Sequence, residues 1–417
     1  MLVLTEVRVV YSLLGLFGPH LPPTARVWQY HLVNPVVTWV GAHLLHVDSS
    51  LIEPIESGDQ AFFWVLAFCW FLGAVVIAAV WSAIDRHRTD YVKAHAWFCV
   101  VVRMCLAAQL FSFGFSKVFP LQMSQPLTRL VEPFGNFGML DVLWAQVGSS
   151  PPYEILLGCA EVTAGLLLVI PSTAVLGALL AMVALAQVLV LDLTFQIPLK
   201  IWAFQLFLMS LVLLAPHAVR LTRFFVSDRG AALTRVRLFR SRRALSVTLA
   251  AQLFLGAWLA GSQVHQAWTL WDTIGQLGPK PPLYGMWNVV EFSTDGRDQP
   301  PLTTDKERWN RFVVDTTHAY QAGNFSSQRM DGTIIDYTGQ LDAPSHTITL
   351  TSLDDAKWSA HFTYRQATPN RLTLNGVLGG HPTSMRLEKV DAESFPIKHN
   401  GFKWVQNGPY QPRLTER

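Results

Sequence analysis

The sequence has few charged residues and few cysteines, and both shortages limit what the protein can be. Charged residues make up 15% of the 417 residues, whereas a soluble globular domain has about 25%. Hydrophobic residues make up 51%, which is too many for a disordered chain. The net charge of +3 is too small for a nucleic-acid-binding surface, so we expect no nucleic-acid partner. The composition indicates a membrane protein in contact with the lipid bilayer.

The cysteines and the common catalytic motifs exclude several kinds of site. No CxxC pair is present, which disfavours a disulfide scaffold, a zinc ribbon and a thioredoxin-like redox pair. The four cysteines lie in apolar stretches, where we expect them to pack as small hydrophobic residues: Cys69, Cys99, Cys105 and Cys159. The sequence has no HExxH, P-loop, G-x-S-x-G or Rossmann motif. His43 and His46 alone do not make a metal site, so we predict no metal.

Long apolar runs predict membrane spans, each of which needs roughly 20 residues. Residues 61–84 and 244–264 carry no charge. Four more apolar stretches lie between them, at about 95–116, 152–170, 173–192 and 197–215. A shorter stretch at 5–18 contains Arg8 and is the weakest of the set. It lacks the basic start and A-x-A site of a signal peptide. We predict seven spans, with six as the alternative.

The charges of the loops predict the orientation, because cytoplasmic loops are rich in Lys and Arg. Segment 216–243 has eight arginines and one acid, and 85–94 is also basic. The acidic loop 19–60 then lies outside, as do the residues after 265. Trp28 and Trp39 in this loop predict an amphipathic helix at the membrane interface. We expect a multi-pass protein of the bacterial inner membrane, with the N-terminus cytoplasmic and the C-terminal domain periplasmic or extracellular.

After residue 280 the sequence changes to the two-residue alternation of β-strands. Residues 358–364, 347–351 and 372–374 alternate between apolar and polar side chains, and turn dipeptides such as Gly379-Gly380 separate the runs. About eight short strands between 285 and 390 predict an up-and-down β-barrel. Its opening, Gly285-Met286-Trp287, resembles the G-x-W start of lipocalins. Such a barrel either holds one small apolar ligand or is filled by its own side chains.

Ionisable residues inside the predicted spans are candidates for function. Arg103 and Glu161 fall near mid-membrane at about 1.5 Å per residue, so we predict an ion pair between them. Lys117 lies close to the face of Arg103, and Glu154 shares a helical stripe with Glu161 that also contains glycines. Asp192 and Lys200 lie near the outer ends of their spans. The predicted intramembrane polar cluster is Arg103, Lys117, Glu154, Glu161, Asp192 and Lys200. These charges either fix helix register or form an outward-facing pocket for a polar head group, a quinone or a proton.

Residues 95–225 carry a family resemblance. Gly114-Phe-Ser-Lys117, Gly158-Cys-Ala-Glu161 and Ile197-Pro198-Leu-Lys200, in this order and spacing, resemble the DoxX-like membrane proteins. Residues 126–148 resemble the outer loop of large members with a C-terminal β domain. The resemblance implies a small helical bundle, in some members linked to redox or thiol metabolism. More distantly, the layout is similar to vitamin K-dependent carboxylase-like proteins, which implies a quinone and a lysine base, with Lys117 or Lys200 as the candidate.

Together these patterns predict a multi-domain membrane protein: an α-helical transmembrane bundle followed by an external, all-β, lipocalin-like barrel. The expected parts are N-terminal spans at 1–94, a DoxX-like four-helix bundle at 95–225, an Arg-rich loop at 226–243, a last span at 244–265 and a β-barrel domain at 281–410.

Two functions are open. The first is a non-catalytic envelope protein whose barrel binds a lipid, a hydrophobe or an envelope protein partner. The second is a membrane enzyme or redox subunit that acts on a quinone or lipid at the Lys/Glu/Asp cluster. A transporter is a third possibility, disfavoured because no inverted repeat is visible.

Overall fold

The computed structural model divides the chain into two compact units. The first contains residues 1–123, 138–143 and 152–276, and the second contains residues 124–137, 144–151 and 277–417. The chain therefore passes between the units several times. The structure describes residues 23–53, 55, 57–88, 90–226, 241–275, 277–316, 324–353, 355, 358–399 and 404–405.

The first unit is helical. Its helices, together with one that continues into the second unit, are α1 (Pro23–Val40), α2 (Ala61–Ile84), α3 (Val92–Val118), α4 (Met139–Gly148), α5 (Pro151–Val169), α6 (Ala174–Thr194), α7 (Lys200–Leu214), α8 (Ala218–Val226) and α9 (Arg242–Thr273). Among the described residues, six helical segments are long and apolar enough to span a membrane: α2, α3, α5, α6, residues 200–223 and α9. The predicted span at 5–18 and most of the Arg-rich loop lie outside the described residues.

Two helices of this unit cross at a pair of glycines, which brings their backbones close together. A Cβ added to Gly158 of α5 would lie 2.6 Å from the carbonyl oxygen of Gly114 on α3. A Cβ at Gly165, two turns further along, would lie 2.7 Å from the ring of Phe111. Only glycine permits such an approach, as the glycine stripe in the sequence predicts. Around the crossing, a core of small and aliphatic side chains is buried.

The predicted outer loop contains a helix, α1, which continues into a π-helical turn at Gly41–Leu45. Val37 and Val40 are buried against Phe62 and Phe63 of α2. Apolar residues also occupy the exposed side of α1, where Trp39 is 56% exposed. This helix therefore has apolar residues on its packed face and on its open face.

The second unit contains a closed, eight-stranded antiparallel barrel. Its strands are β1 (Gly285–Thr294), β3 (Trp309–Val314), β4 (Phe325–Arg329), β5 (Ile334–Asp342), β6 (Thr347–Ser352), β7 (Ser359–Thr368), β8 (Arg371–Leu378) and β9 (His381–Val390), with a two-residue β2 (Arg297–Asp298) at the edge of β1. Each strand pairs with the next, and β1 pairs with β9 to close the barrel. The predicted up-and-down order is confirmed.

The barrel interior is filled by its own side chains. Ala360, Phe362 and Tyr364 of β7 are buried, while the residues between them are exposed, which confirms the predicted alternation. Trp309 stacks on Phe312, with their ring centroids 5.5 Å apart. The same core includes residues from all eight strands: Trp287, Val289, Phe292, Phe312, Val314, Phe325, Tyr337, Ile348, Leu350, Phe362, Leu372, Leu374, Met385 and Leu387. Of the two predicted states of the barrel, this packing favours the filled one.

A segment distant in sequence covers part of the outer barrel surface. Leu127 and Val131 pack on Met286 and Val313, two strand residues that point away from the aromatic core. Asp315 accepts a hydrogen bond from the backbone N–H of Leu127 at 2.7 Å. The amide of Gln328 donates to the carbonyl oxygen of Val131 at 2.6 Å. Residues 124–137, which the sequence placed within the helical bundle at 95–225, thus lie in the same compact unit as the barrel.

Candidate functional site

A buried ion pair lies at the crossing of α3 and α5. The Nζ atom of Lys117 lies 2.8 Å and 3.0 Å from the two carboxylate oxygens of Glu161. Lys117 is 6% exposed and Glu161 is 7% exposed. The ammonium also approaches the carbonyl oxygen of Phe113 at 3.4 Å and faces the Phe113 ring. Hydrogen bonds to both oxygens offset part of the cost of burying the two charges.

The glycine crossing explains why these two residues meet. A Cβ at Gly158 would lie 2.9 Å from the Cβ of Lys117, so the two helices touch one turn before Glu161 on α5. Glu161 and Gly158 are three residues apart, which places them on one helical face. Lys117 and Gly114 have the same spacing on α3. The glycines therefore set both the distance and the level at which the pair forms.

Asp192, near the end of α6, is a buried acid of the site. The residue is 3% exposed, and its Oδ2 atom has no partner among the described residues. The carboxylate interacts electrostatically with Lys117, Lys200 and Asp59. A buried polar atom without a partner costs about 1–3 kcal/mol, so its presence indicates a role other than stability.

Asp59 and Lys200 form the third part of the site. Asp59 accepts hydrogen bonds from the backbone N–H groups of Lys200 at 3.0 Å and Ile201 at 3.1 Å. It thereby caps the first turn of α7, where backbone donors lack helical partners. The Nζ atom of Lys200 lies 3.2 Å from the same carboxylate and also donates to the carbonyl oxygen of Ile197 at 2.9 Å. This arrangement joins the loop before α2 to the start of α7.

Glu154, in the first turn of α5, is the most deeply buried acid of the site, with 1% exposure. One of its oxygens accepts a hydrogen bond from the backbone N–H of Met123 at 3.1 Å. It also interacts with the charge of Lys117. Glu154 thus fixes the chain as it leaves α3, and its negative charge adds to that of Glu161.

The charges of this cluster do not balance. Four acids, Asp59, Glu154, Glu161 and Asp192, stand against two cations, Lys117 and Lys200. Buried charges without partners are strongly disfavoured at low dielectric. Such a surplus of acid suits a group that donates hydrogen bonds. The Oδ2 atom of Asp192, which has no hydrogen-bond partner in the described part of the chain, is an acceptor for such a group.

The predicted ion pair between Arg103 and Glu161 is wrong, because Glu161 pairs with Lys117 instead. Arg103 donates from Nη2 to the amide oxygen of Gln252 on α9. Residue counts along each span placed Arg103 and Glu161 at one depth. The glycine crossing instead aligns Glu161 with Lys117, fourteen residues beyond Arg103. The other five predicted cluster residues lie in or beside the site, and Arg103 lies apart from it.

Sequence reasoning missed two residues that the structure brings in. Asp59 was read only as an acidic loop residue, yet it caps α7 and holds Lys200. The Pro198-Leu-Lys200 helix start offered a signal, because a helix without a capping side chain of its own needs one from elsewhere. Gln252, the partner of Arg103, sits in a predicted span with no charge and gave no comparable signal.

In the loop at residues 19–60, His43 has local contacts. His43 stacks on Trp39 with the ring centroids 4.9 Å apart, and its Nδ1 lies 2.9 Å from the carbonyl oxygen of Trp39. Among the residues that the structure describes, no group of three or more His, Cys, Asp or Glu side chains could hold a metal ion.

Comparison with known proteins finds a significant relationship. The chain is 32% identical over 112 residues to the uncharacterized protein YwoB of Bacillus subtilis (strain 168), a match that covers 27% of this chain and 71% of YwoB. This chain belongs to the family of YwoB. YwoB is itself described as uncharacterized, so membership of its family assigns no activity. No protein-family model matches the chain, and no solved structure matches it significantly.

Proposed function

We propose that this protein is an integral membrane protein whose helical unit binds the polar end of a quinone or a lipid at the cluster around Asp192. One observation carries the proposal: the buried Oδ2 atom of Asp192 has no partner among the described residues. Lys117 and Lys200 lie within electrostatic range of this oxygen. A site with a free acceptor and a surplus of acid suits a ligand that brings hydrogen-bond donors.

The chemistry of a quinone fits both protonation states of Asp192. A protonated Asp192 carboxyl donates to a quinone carbonyl oxygen, and an ionised carboxylate accepts from a quinol hydroxyl. Glu161 is already held by Lys117 and is less available for either role. A lipid head group with hydroxyl or ammonium donors would use the same acceptor. The proposal requires only binding at this site, not catalysis. Its stronger form is a membrane enzyme or redox subunit that acts on the bound quinone or lipid.

The proposal also includes more specific assignments of family, topology and location. They are membership of the DoxX-like proteins, seven spans, a bacterial inner membrane, a cytoplasmic N-terminus and a lipocalin-like barrel on the outer side. The motifs at residues 114–117, 158–161 and 197–200 support the DoxX-like assignment, since they build the site described above. Basic segments next to α3 and α9 support the orientation.

A second proposal concerns the barrel. Because aromatic and aliphatic side chains from all eight strands fill its interior, a small hydrophobe inside the barrel has little support. An envelope protein partner on the outer surface of the barrel is the form of that hypothesis that the packing favours. Part of that surface is already used by Leu127 and Val131.

The test is native mass spectrometry of the detergent-purified full chain, with extraction and identification of bound quinone and lipid. We expect about one ligand per chain, and its loss in Asp192→Leu. This substitution removes the unpartnered oxygen at similar volume and should leave the fold intact. Asp272→Leu, at an exposed acid near the end of α9, is the matched control and should retain the ligand.

Two results would contradict the proposal. One is a protein that carries no stoichiometric quinone or lipid from any mild detergent. The other is a ligand that persists in Asp192→Leu at the wild-type ratio. In the second case the ligand binds elsewhere, and the Asp192 carboxyl has a role within the bundle only.

A further inference from the structure

Arg103 presents a second unsatisfied polar group in the helical unit, separate from the Asp192 cluster. The residue is 8% exposed, and so is Gln252, its partner on α9. Nη2 of Arg103 donates to the amide oxygen of Gln252. The Nε atom is buried and has no hydrogen-bond partner in the described part of the chain. Its one hydrogen-bonding partner among the described residues is therefore a neutral amide.

A buried guanidinium without a carboxylate is costly. Arg stays protonated in proteins, so the charge cannot be removed by losing a proton. A neutral amide satisfies one donor but leaves the charge uncompensated, and a charge at this depth is expected to have a partner. No described carboxylate forms an ion pair with Arg103. The Nε–H has no acceptor in the described part of the chain, so it remains a donor for a ligand.

Arg103 on α3 and Gln252 on α9 lie at similar distances from the starts of their helices. Arg103 lies eleven residues after Val92 and Gln252 lies ten residues after Arg242, so both are about 15 Å from the start of their helices. Lys93, Arg242 and Arg243 stand at those starts. The basic starts of α3 and α9 are thus the helix ends from which a ligand would approach Arg103.

A polar stripe on α3 leads from that end to Arg103. His95, Cys99 and Arg103 are spaced four residues apart and share one helical face. The Cys99 sulfur lies 3.8 Å from both ring nitrogens of His95, and Cys99 interacts electrostatically with Arg103. His95 is exposed, Cys99 is half-buried and Arg103 is buried. The stripe connects the exposed basic end of the helix to the buried guanidinium.

We propose that Arg103 and Gln252 form a binding site for an oxyanion, a carboxylate or a phosphate, which enters from the basic ends of α3 and α9. The anion accepts hydrogen bonds from the guanidinium, whose planar fork fits such groups. The amide N–H₂ of Gln252 is a second donor on the partner helix. The oxyanion is either the head group of an anionic lipid or a soluble ion, and both use the same contacts.

The experiment measures the unfolding temperature of the full chain as a function of anion. One arm titrates sodium phosphate, and separately sodium acetate, into protein in a neutral detergent at constant ionic strength. The other arm compares nanodiscs of phosphatidylcholine with nanodiscs containing increasing phosphatidylglycerol. We expect a saturable rise in one arm for the wild type. A response to phosphate or acetate identifies a soluble anion, and a response to phosphatidylglycerol alone identifies a lipid.

Variants assign the response to the site. Arg103→Gln should abolish the rise, and it should fold, because it removes an uncompensated buried charge. Gln252→Leu should raise the half-saturating concentration about tenfold, the loss of one hydrogen bond to a charged group. Arg86→Gln, at an exposed arginine, is the matched control and should respond like the wild type.

Three outcomes would overturn the proposal. They are a flat wild-type response in both arms, a response that rises without saturation as a general salt effect does, and an equal response in Arg103→Gln. Were Arg103→Gln to misfold, Gln252→Leu and the wild-type titrations would decide by the same criteria. In each overturning case the contact between Arg103 and Gln252 is a structural bridge between two helices.

Discussion

Arg308 in the barrel and Arg103 in the helical unit are both almost fully buried, yet their surroundings differ. Arg308, 2% exposed, donates to the carbonyl oxygens of Gln299 at 3.0 Å, Trp309 at 3.2 Å and Val289 at 3.4 Å. Arg103 has one amide partner and an unpartnered Nε among the described residues. The barrel supplies acceptors to its buried arginine, whereas the helical unit leaves its own in part without them.

The same contrast holds for the other buried polar groups. In the second unit, Tyr337 and Ser327 share a hydrogen bond of 2.8 Å, and Asp315 and Gln328 bond to the 124–137 segment. In the helical unit, Asp192 has a carboxylate oxygen with no hydrogen-bond partner among the residues that the structure describes. A structure tolerates unsatisfied buried groups chiefly where function requires them. The contrast is the reason for proposing that the functional groups lie in the helices, whereas the barrel has a well-packed interior.

The largest effect that we expect from the contrast between the two units is at Lys117. We expect Lys117→Met to destabilise the helical unit by about 3–5 kcal/mol, because it leaves Glu161 buried without its partner. The double variant Lys117→Met with Glu161→Leu should recover most of that loss. Helix content measured by circular dichroism during titration with dodecyl sulfate reports the change. Equal stability of the single variant and the wild type would show that Glu161 is neutral in the folded protein.

Substitutions of the two buried arginines should have effects of intermediate size, and they compare the two units directly. Arg308→Met should cost about 3 kcal/mol, since it removes the donor from three carbonyl oxygens, of which those of Trp309 and Val289 accept buried hydrogen bonds. Arg103→Met should change the unfolding free energy by no more than about 1 kcal/mol, since it removes an uncompensated charge together with one hydrogen bond. The stability of the barrel is measured by urea denaturation, with proteolysis as the readout of unfolding. The stability of the helical unit is measured by titration with dodecyl sulfate. Arg365→Met, at an exposed arginine of β7, is the control. Similar losses for both buried arginines would remove the contrast.

The smallest expected effect is a pH dependence of the barrel. Burial raises the pKa of Tyr337 to about 12, against about 10 for the unfolded chain. The neutral hydroxyl is thus favoured by folding, so its contribution is complete below pH 10 and is lost as the pH rises toward about 12. The loss amounts to about 2.7 kcal/mol. Tyrosinate absorbance and urea denaturation at alkaline pH measure it, with Tyr337→Phe as the variant that lacks it. Ionisation of Tyr337 near pH 10 would contradict the expected burial.

Much of the fold could be predicted because the sequence repeats at the period of its elements. The alternation at residues 358–364 identified the buried face of β7, and the long apolar runs identified the six described helical segments that are apolar and long enough to span a membrane. The glycines at 114 and 158 could be recognised as a close contact because they stand on stripes with ionisable residues. These signals are local, and local periodicity is what a sequence displays directly.

The pairing of charges could not be predicted in the same way. Counting residues from the end of an apolar run gives a depth, but it does not give the offset between two helices. Here the two helices run in opposite directions, and the first turns of α5 extend past the last turn of α3. Glu161 therefore lies beside Lys117, near the end of α3, and not beside Arg103. The role of Asp59 depends on the contact between a loop and the start of α7, more than 140 residues later in the chain. The cover that residues 124–137 form on the barrel is likewise a long-range contact without a local pattern.

That cover has a consequence for how the protein is made. Leu127 and Val131 leave the ribosome about 260 residues before β9, the strand that closes the barrel. At about 5–20 residues per second, the segment waits on the order of tens of seconds before its binding surface on β1 and β3 belongs to a closed sheet. Throughout that interval its apolar side chains are exposed to whatever factors accompany the nascent chain. The biogenesis of the barrel therefore depends on a part of the chain that is synthesised long before it.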